Sequence, residues 1–129
     1  MRPQLNAITL AVKDLVNLKH FYANVLNWEI MDENPDIVMF RLEHIILTLY
    51  KEKEHAKYLG ALAGEHISPK FYFTLNTVSP QQTDTLFAEL KAKGVTIVKE
   101  ARQLFWGGYG GIITDLENNF WEICYNPMS

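Results

Sequence analysis

One order of elements, strand, helix and three strands, is predicted twice along this sequence, and this repetition restricts the possible folds more than any other feature. Apolar residues recur at helical spacing between β-rich segments in each half, as at Leu18 and Tyr22 and again at Leu86 and Leu90. One half alone would leave a bare sheet face, so two halves must pair to bury a core. The predicted fold is therefore α+β, with two βαβββ modules that pair through mixed or antiparallel sheet and with helices outside.

Residues that favour turns and helix ends mark the boundaries of these elements. Asp14 and Ser79-Pro80 are predicted to open helices, and Asn27 and Gly94 to end them. The predicted strands are 5–12, 28–31, 37–42, 45–50, 71–78, 95–98, 112–114 and 120–125, with a third short helix near 54–62 and a loop rich in glycine and aromatic residues at 102–111. We predict one domain over residues 1–129, with modules at about 1–51 and 71–126 and a linker at about 52–70.

Composition excludes several classes of protein. A chain of 129 residues with 48% hydrophobic and 21% charged residues is typical of one folded domain. The net charge of −3 and the lack of clustered Lys and Arg argue against a nucleic-acid partner. Cys124 is the only cysteine, so no intrachain disulfide is possible. No apolar segment predicts a membrane span or a secretory signal, and we expect a cytoplasmic protein.

Motifs near both ends of the chain resemble one known superfamily. Residues 7–15, Ala-Ile-Thr-Leu-Ala-Val-Lys-Asp-Leu, followed by Phe-Tyr and Leu-Asn-Trp, resemble the opening of vicinal-oxygen-chelate proteins. Residues 115–122, Asp-Leu-Glu-Asn-Asn-Phe-Trp-Glu, resemble the family ending Asp-Pro-Asp-Gly-Asn-x-Trp-Glu, with Leu116 for proline and Asn118 for glycine. Residues 105–109 are similar to those of an uncharacterised glyoxalase-like subgroup. The resemblance implies membership of the glyoxalase / bleomycin-resistance / extradiol dioxygenase superfamily.

The resemblance also implies where a metal would be held. Metal enzymes of this family place one ligand on the first and last strand of each half, and the matching positions are Ala7, Leu47, Tyr72 and Glu122. Only Glu122 is a good ligand for a divalent cation, whereas catalytic metal sites usually need about three protein ligands. The four histidines lack the close pairing of a zinc motif. We therefore predict no metal site and no cofactor.

The resemblance implies that these four positions face into a cup formed by the paired sheets. If they do, strand alternation predicts the rest of the lining of a ligand cavity, because residues two apart share a sheet face. Several small side chains among these residues would leave space for a small molecule, although a collapsed core without ligand is the alternative. Trp106 and Tyr109, in the glycine-rich loop, are predicted to form a lid, or else to pack at a dimer contact. The predicted strand residues of the ligand site are Ala7, Thr9, Leu47, Leu49, Tyr72, Thr74, Asn76, Phe120 and Glu122.

Glu122 is the candidate catalytic residue. In an apolar cup without metal, its carboxyl group would act as an acid/base or as a hydrogen-bonding anchor. The alternative is a remnant of a metal site, hydrogen bonded to the Tyr72 hydroxyl or to water. Cys124 is expected to be a small buried hydrophobe rather than a nucleophile.

These observations leave three hypotheses for function. The first is a metal-independent protein that captures a small apolar or aromatic ligand, as drug-sequestering members of the family do. The second is a glyoxalase-like lyase or isomerase, or a dioxygenase-related enzyme, acting on a small oxygenated substrate. The third is a structural or interaction module. Exposed sheet edges and the family resemblance predict a homodimer.

Overall fold

The computed structural model of this chain describes residues 3, 7–59 and 72–127. The chain falls into two units, residues 1–67 and 68–129, and each holds one four-stranded mixed sheet. Both units have the predicted βαβββ order, which confirms the α+β class. No helix within the described ranges is long and apolar enough to cross a membrane.

The first module contains four strands and two helices in the order β1, α1, β2, β3, β4, α2. Its sheet has the order β1-β4-β3-β2, in which only β1 and β4 run parallel. A single π-helical turn, Phe21–Val25, extends α1. The elements are β1 Ala7–Val12, α1 Leu15–His20, β2 Ile30–Asn34, β3 Ile37–Arg41, β4 Ile46–Lys51 and α2 Glu52–Leu59.

The second module repeats this arrangement without a counterpart of α2 among the described residues. Its sheet has the order β5-β8-β7-β6, and β5 and β8 form the parallel pair. The elements are β5 Phe73–Thr77, α3 Pro80–Ala92, β6 Thr96–Gln103, β7 Tyr109–Thr114 and β8 Phe120–Tyr125.

The predicted helix boundaries are confirmed by their hydrogen bonds and backbone angles. Asp14 Oδ1 accepts a hydrogen bond from the Asn17 amide, and Ser79 Oγ accepts one from the Gln82 amide, each at 3.0 Å. Asn27 and Gly94 have φ angles of 61° and 82°, so each reverses the chain after its helix.

Some predicted bounds were wrong. The segment at 28–31 pairs later than expected, over Ile30–Asn34, and β6 extends to Gln103 instead of ending at residue 98. The strand β7 begins at Tyr109, three residues early, because Gly110 and Gly111 belong to the strand and not to a loop. The predicted helix near 54–62 is α2; residues 60–71, which include the end of that prediction and most of the linker, lie outside the described residues.

Each sheet packs one face against its helix. In the first module this face carries Phe40, whose ring lies 5.7 Å from that of Tyr22 at the end of α1. In the second it carries Gly111, where an added Cβ would come within 2.8 Å of the Phe87 ring on α3. We call the opposite sheet face, away from α1 or α3, the far face of each module.

Candidate functional site

A row of polar side chains lies on the far face of the second module. The parallel register pairs Thr74 with Glu122 and Asn76 with Cys124, so all four residues of β5 and β8 share one face. On the next strand, Ile112 is paired with Glu122. We call Thr74, Asn76, Glu122 and Cys124 the polar row. Their common face confirms the alternation predicted for these two strands.

The contacts within the polar row converge on one atom. Thr74 Oγ1 donates a hydrogen bond of 3.0 Å to Glu122 Oε1. The Cys124 sulfur lies 3.8 Å from the same oxygen and 3.8 Å from Asn76 Oδ1, so its single proton is shared between two acceptors. Thr74 is therefore the side chain that orients Glu122, and not the Tyr72 hydroxyl, which was one of the alternative partners.

The second carboxylate oxygen of Glu122 has a different environment. No described residue donates to Oε2 or forms an ion pair with Glu122, and the side chain is only partly buried. Thr74 and Asn76 beside it are exposed. Oε2 of Glu122 is therefore a hydrogen-bond acceptor on this face that Thr74 orients and to which no described side chain donates.

Cys124 is buried and is held in its protonated form. Burial is the main cause that raises the pKa of the Cys124 thiol to about 11, and the nearby Glu122 carboxylate raises it further. The nucleophilic form of cysteine is the thiolate, which this environment disfavours. The thiol is thus a weak donor to Glu122 and Asn76, and it does not have the environment of a catalytic nucleophile.

The register of β4 corrects the predicted placement of Leu47 and Leu49. These residues pair with Ile8 and Leu10 on the α1 side of the sheet, where both are fully buried, at 2% and 0% exposure. The prediction that they share a face with Ala7 and Thr9 was wrong by one residue, because a one-residue shift moves every side chain of a strand to the other face. Thr48, paired with Thr9, takes the far-face position that was assigned to Leu47.

Tyr109 is also placed away from Glu122. It is paired with Tyr125 on the α3 side of the sheet, and its hydroxyl donates a 2.6 Å hydrogen bond to Asp84 of α3. That hydrogen bond raises the pKa of Tyr109, because it stabilises the protonated phenol. The expectation that Tyr109 covers the same site as Glu122 was therefore wrong.

The predicted wide glycine-rich lid is a short β-hairpin loop. The Leu104 amide donates to the Gly108 carbonyl at 2.8 Å, and the Gly107 amide donates to the Leu104 carbonyl at 3.0 Å. Trp106 folds over the Gly108 backbone, where an added Cβ would lie only 2.2 Å from the indole ring. Phe105 at the tip is fully exposed. A ligand contact by Trp106 stays a prediction.

The remaining predicted residues are located as follows. Ala7 and Thr9 are exposed on the far face of the first module. In the second module, Phe120 lies two residues before Glu122. Tyr72, which is 61% exposed, lies two residues before Thr74. Whether the two sets meet in one cup stays a prediction.

The donor atoms of the site do not fit a catalytic metal. The polar row offers one carboxylate, one hydroxyl, one amide and a protonated thiol, and a divalent metal of this family needs about three strong ligands. Within the residues that the structure describes, no group of three His, Cys, Asp or Glu side chains is close enough to hold a metal ion. We therefore assign no reaction step to a metal.

Two residues with clear structural roles escaped the sequence analysis. Thr48 was missed because all residues of 45–50 except this one are apolar, so the segment shows no clear alternation. Asp84 was missed because an acidic residue on the exposed face of a helix is ordinarily a solvated surface residue. Neither had a signal in the sequence strong enough to identify its partner.

The motifs at both ends of the chain can now be compared with known proteins. The protein-family model of the Glyoxalase/Bleomycin resistance protein/Dioxygenase superfamily matches residues 4–123. The chain belongs to this superfamily. No curated protein is similar enough in sequence to count as a match.

Solved structures of the superfamily share the fold of this chain at low sequence identity. A glyoxalase-related enzyme from Fulvimarina pelagi has 22% identity and a TM-score of 0.84, covering 98% of this chain and 90% of its own. Lactoylglutathione lyase from Agrobacterium tumefaciens has 18% identity and a TM-score of 0.79, covering 98% and 96%. The fosfomycin resistance protein FosX from Listeria monocytogenes has 21% identity and a TM-score of 0.77, covering 99% and 97%. At these identities the likeness concerns the fold and not the activity.

Proposed function

We propose that this protein binds a small molecule on the far face of its second module, without a metal, through a hydrogen bond that the ligand donates to Glu122 Oε2. One observation carries the proposal: the two side chains that approach the carboxylate both contact Oε1. A carboxylate oxygen that is partly withdrawn from water is most stable when it accepts a hydrogen bond. The ligand supplies the donor that the protein does not.

The neighbours of Glu122 suit a small ligand with an apolar part. Ile112 lies across from Glu122 on β7, and Phe120 lies two residues before it on β8, so apolar surface borders the acceptor on two sides. Small-molecule sites commonly combine apolar lining with a few oriented polar groups. Thr74 performs that orientation, because its hydroxyl fixes one carboxylate oxygen and thereby aims the other.

The structural relatives support binding or catalysis of small molecules on this fold. Their names describe a lyase and a resistance protein, and both are superfamily members. We favour binding over catalysis because the described residues of the second module offer neither a metal-ligand set nor an activated nucleophile. The alternative is a lyase or isomerase. Turnover of a thiol hemiacetal, measured with and without added divalent metal, would reveal such an activity.

A thermal-shift screen of a small-molecule library tests the proposal, since a ligand of the native state raises its stability. The variants are Glu122→Gln, which replaces the acceptor Oε2 by an amide that can donate, and Glu89→Gln, the same change at an exposed position of α3. Hydrogen bonds to charged groups contribute about 1.5–3 kcal/mol. We expect hits on the wild type to bind Glu122→Gln about tenfold or more weakly and Glu89→Gln equally well.

Two results would contradict the proposal. Hits that bind Glu122→Gln as tightly as the wild type would place the ligand elsewhere. Elemental analysis of the purified protein that finds about one zinc, nickel, manganese or iron per chain, lost on Glu122→Gln, would show that Glu122 serves a metal.

A further inference from the structure

We infer that the ligand of this site is an organic cation, a small ammonium group with at least one N–H and a compact apolar or aromatic body. The inference rests on the proposed function and names the class of ligand. It follows from the charge at Glu122, from two aromatic residues at neighbouring positions and from Oε2, which accepts no hydrogen bond from a described residue.

The charge of Glu122 has no counterion in the described part of the chain. Other acidic residues do have one: Glu33 contacts Lys19, and Glu100 lies 3.2 Å from Lys91. Glu122 is less exposed to solvent than the paired Glu100, so water compensates its charge less well. A cation from outside gains both the Coulomb attraction and a charge-assisted hydrogen bond, which is about twice as strong as a neutral one.

Among the residues that the structure describes, the cations on this sheet face are two strands away. The register of β6 places Lys99 opposite Ile112 and Arg102 opposite Gly110, on the same face as Glu122. Neighbouring strands lie about 4.8 Å apart, so the backbones of Lys99 and Glu122 are separated by about 10 Å. Neither Lys99 nor Arg102 forms an ion pair with Glu122. The space beside Oε2 is therefore left to a ligand cation.

Two aromatic residues lie two positions before the polar row, one on β8 and one just ahead of β5. Phe120 is two residues before Glu122 on β8, and Tyr72 is two residues before its partner Thr74, just ahead of β5. The face of an aromatic ring attracts an ammonium or guanidinium cation within about 6 Å of the ring centre. This attraction is stronger when the cation is withdrawn from water. A carboxylate beside two rings fits an organic cation better than a neutral alcohol or an anion.

Three probes with the same phenyl body separate these ligand classes: 2-phenylethylammonium, 2-phenylethanol and 3-phenylpropanoate. Their affinities for the wild type, Glu122→Gln, Tyr72→Leu and the control Glu89→Gln are measured by titration calorimetry or by NMR line shifts. We expect the ammonium to bind the wild type at least about tenfold more tightly than the alcohol, and the carboxylate to show no binding. A cation–π contact at an exposed site contributes about 0.5–1 kcal/mol, so Tyr72→Leu should weaken only the ammonium, by roughly two- to fivefold.

Glu122→Gln should remove the preference for ammonium over alcohol while Glu89→Gln leaves it unchanged. Equal binding of alcohol and ammonium to the wild type, or a preference that survives in Glu122→Gln, would overturn the inference and leave the proposed function standing. Failure of all three probes would also overturn it, and the library screen then decides the proposed function separately. If Glu122→Gln does not fold, the selective loss in Tyr72→Leu, whose side chain is mostly exposed, decides the same question.

Discussion

Glu122 differs from an ordinary surface glutamate in how its two oxygens are used. Thr74 donates to Oε1 at 3.0 Å and the Cys124 thiol lies beside the same atom, while Oε2 has no described donor. A hydrogen bond to one oxygen restricts rotation of the carboxyl group and so fixes the direction in which the other can accept. The residue is thus preorganised for one hydrogen bond, which reduces the entropy lost when a ligand binds.

The Cys124 thiol should react slowly with alkylating reagents in the folded protein. Its pKa is raised from an ordinary 9.0 to about 11, so the fraction of thiolate at pH 8 is about a hundredfold lower than in the unfolded chain. We expect iodoacetamide labelling, followed by mass spectrometry, to be at least about a hundredfold slower in buffer than in denaturant. Glu122→Gln should speed the labelling, because the carboxylate contributes to the raised pKa, and Glu89→Gln should not.

The same raised pKa predicts the direction of a pH effect on stability. The unfolded chain releases the thiol proton at a lower pH than the folded chain does, so alkali favours unfolding. The contribution of Cys124 is therefore fully present below about pH 9 and is lost as the pH rises toward 11. Labelling of Cys124 that is equally fast in the folded and unfolded states at pH 8 would contradict this description of the site.

At the scale of a residue, the sequence predicted the orientation of polar side chains that alternate with apolar ones along a strand. Thr74, Asn76 and Glu122 alternate with Phe73, Leu75 and Trp121, so their common face followed from period two. The hydrogen bond from Thr74 could not be predicted, because it depends on which residues of β5 and β8 lie opposite each other. Pairing register is set by tertiary packing and not by either strand alone.

Among the elements, β4 shows why one face of a strand can be misassigned. Leu47, Thr48 and Leu49 are all buried, so this strand lacks the apolar and polar alternation that reveals orientation. The last strand of each half ends in a tyrosine, and matching Tyr50 with Tyr125 makes Leu47 the counterpart of Glu122. The parallel registers instead make Tyr50 equivalent to Cys124. A shared residue type at the end of two strands was a weaker guide than the hydrogen-bonded ladder.

The register of β1 and β4 predicts a large difference between two truncations. Leu47→Ala removes a side chain that is 2% exposed, and such changes in a core cost about 2–5 kcal/mol in the free energy of unfolding. Thr9→Ala, on the exposed far face, should change it by less than about 0.5 kcal/mol. Denaturant unfolding measures both. Similar small effects for the two variants would show that Leu47 lies on the far face after all.

The hairpin of β6 and β7 was the other element that the sequence described poorly. Glycines at 107, 108, 110 and 111 suggested one long loop. Two of them allow close packing of β7 against its neighbouring strands. A Cβ added to Gly110 would lie 2.3 Å from the Cys124 Cβ, and a Cβ added to Gly111 would lie 2.4 Å from the Lys99 carbonyl oxygen. Glycine in a strand often marks such a close approach, and composition alone does not distinguish it from a loop.

For the whole molecule, the two-module organisation was predictable because independent signals agreed. Helix caps at Asp14 and Ser79, helix ends at Asn27 and Gly94, and family motifs at both ends all indicated the same order of elements. Agreement between local preferences and the global pattern is typical of sequences that specify one fold. The ligand was not predictable, because function depends on the site and not on the fold.

We expect the protein to form a homodimer in which the tip of the β6–β7 hairpin contributes to the contact. Phe105 is fully exposed there, and an exposed aromatic side chain beside an edge strand is commonly covered by a partner. Light scattering at micromolar concentration should give twice the mass of the chain, and Phe105→Ser should weaken the dimer. Val16→Ser, at an exposed apolar residue of α1, is the matched control. A wild-type monomer would contradict the prediction.

The parallel strand pairs of the two modules hold equivalent positions with different charges. Thr9 is paired with Thr48 in the first module just as Thr74 is paired with Glu122 in the second. The two equivalent positions differ in solvent access, and this difference decides whether a carboxylate is tolerated there. Thr48 is almost wholly buried, where an unpaired carboxylate would cost several kcal/mol, whereas Glu122 still contacts water. Glutamate is therefore accommodated at position 122 and would destabilise the fold at position 48, so the two positions are not interchangeable in spite of their equivalent registers.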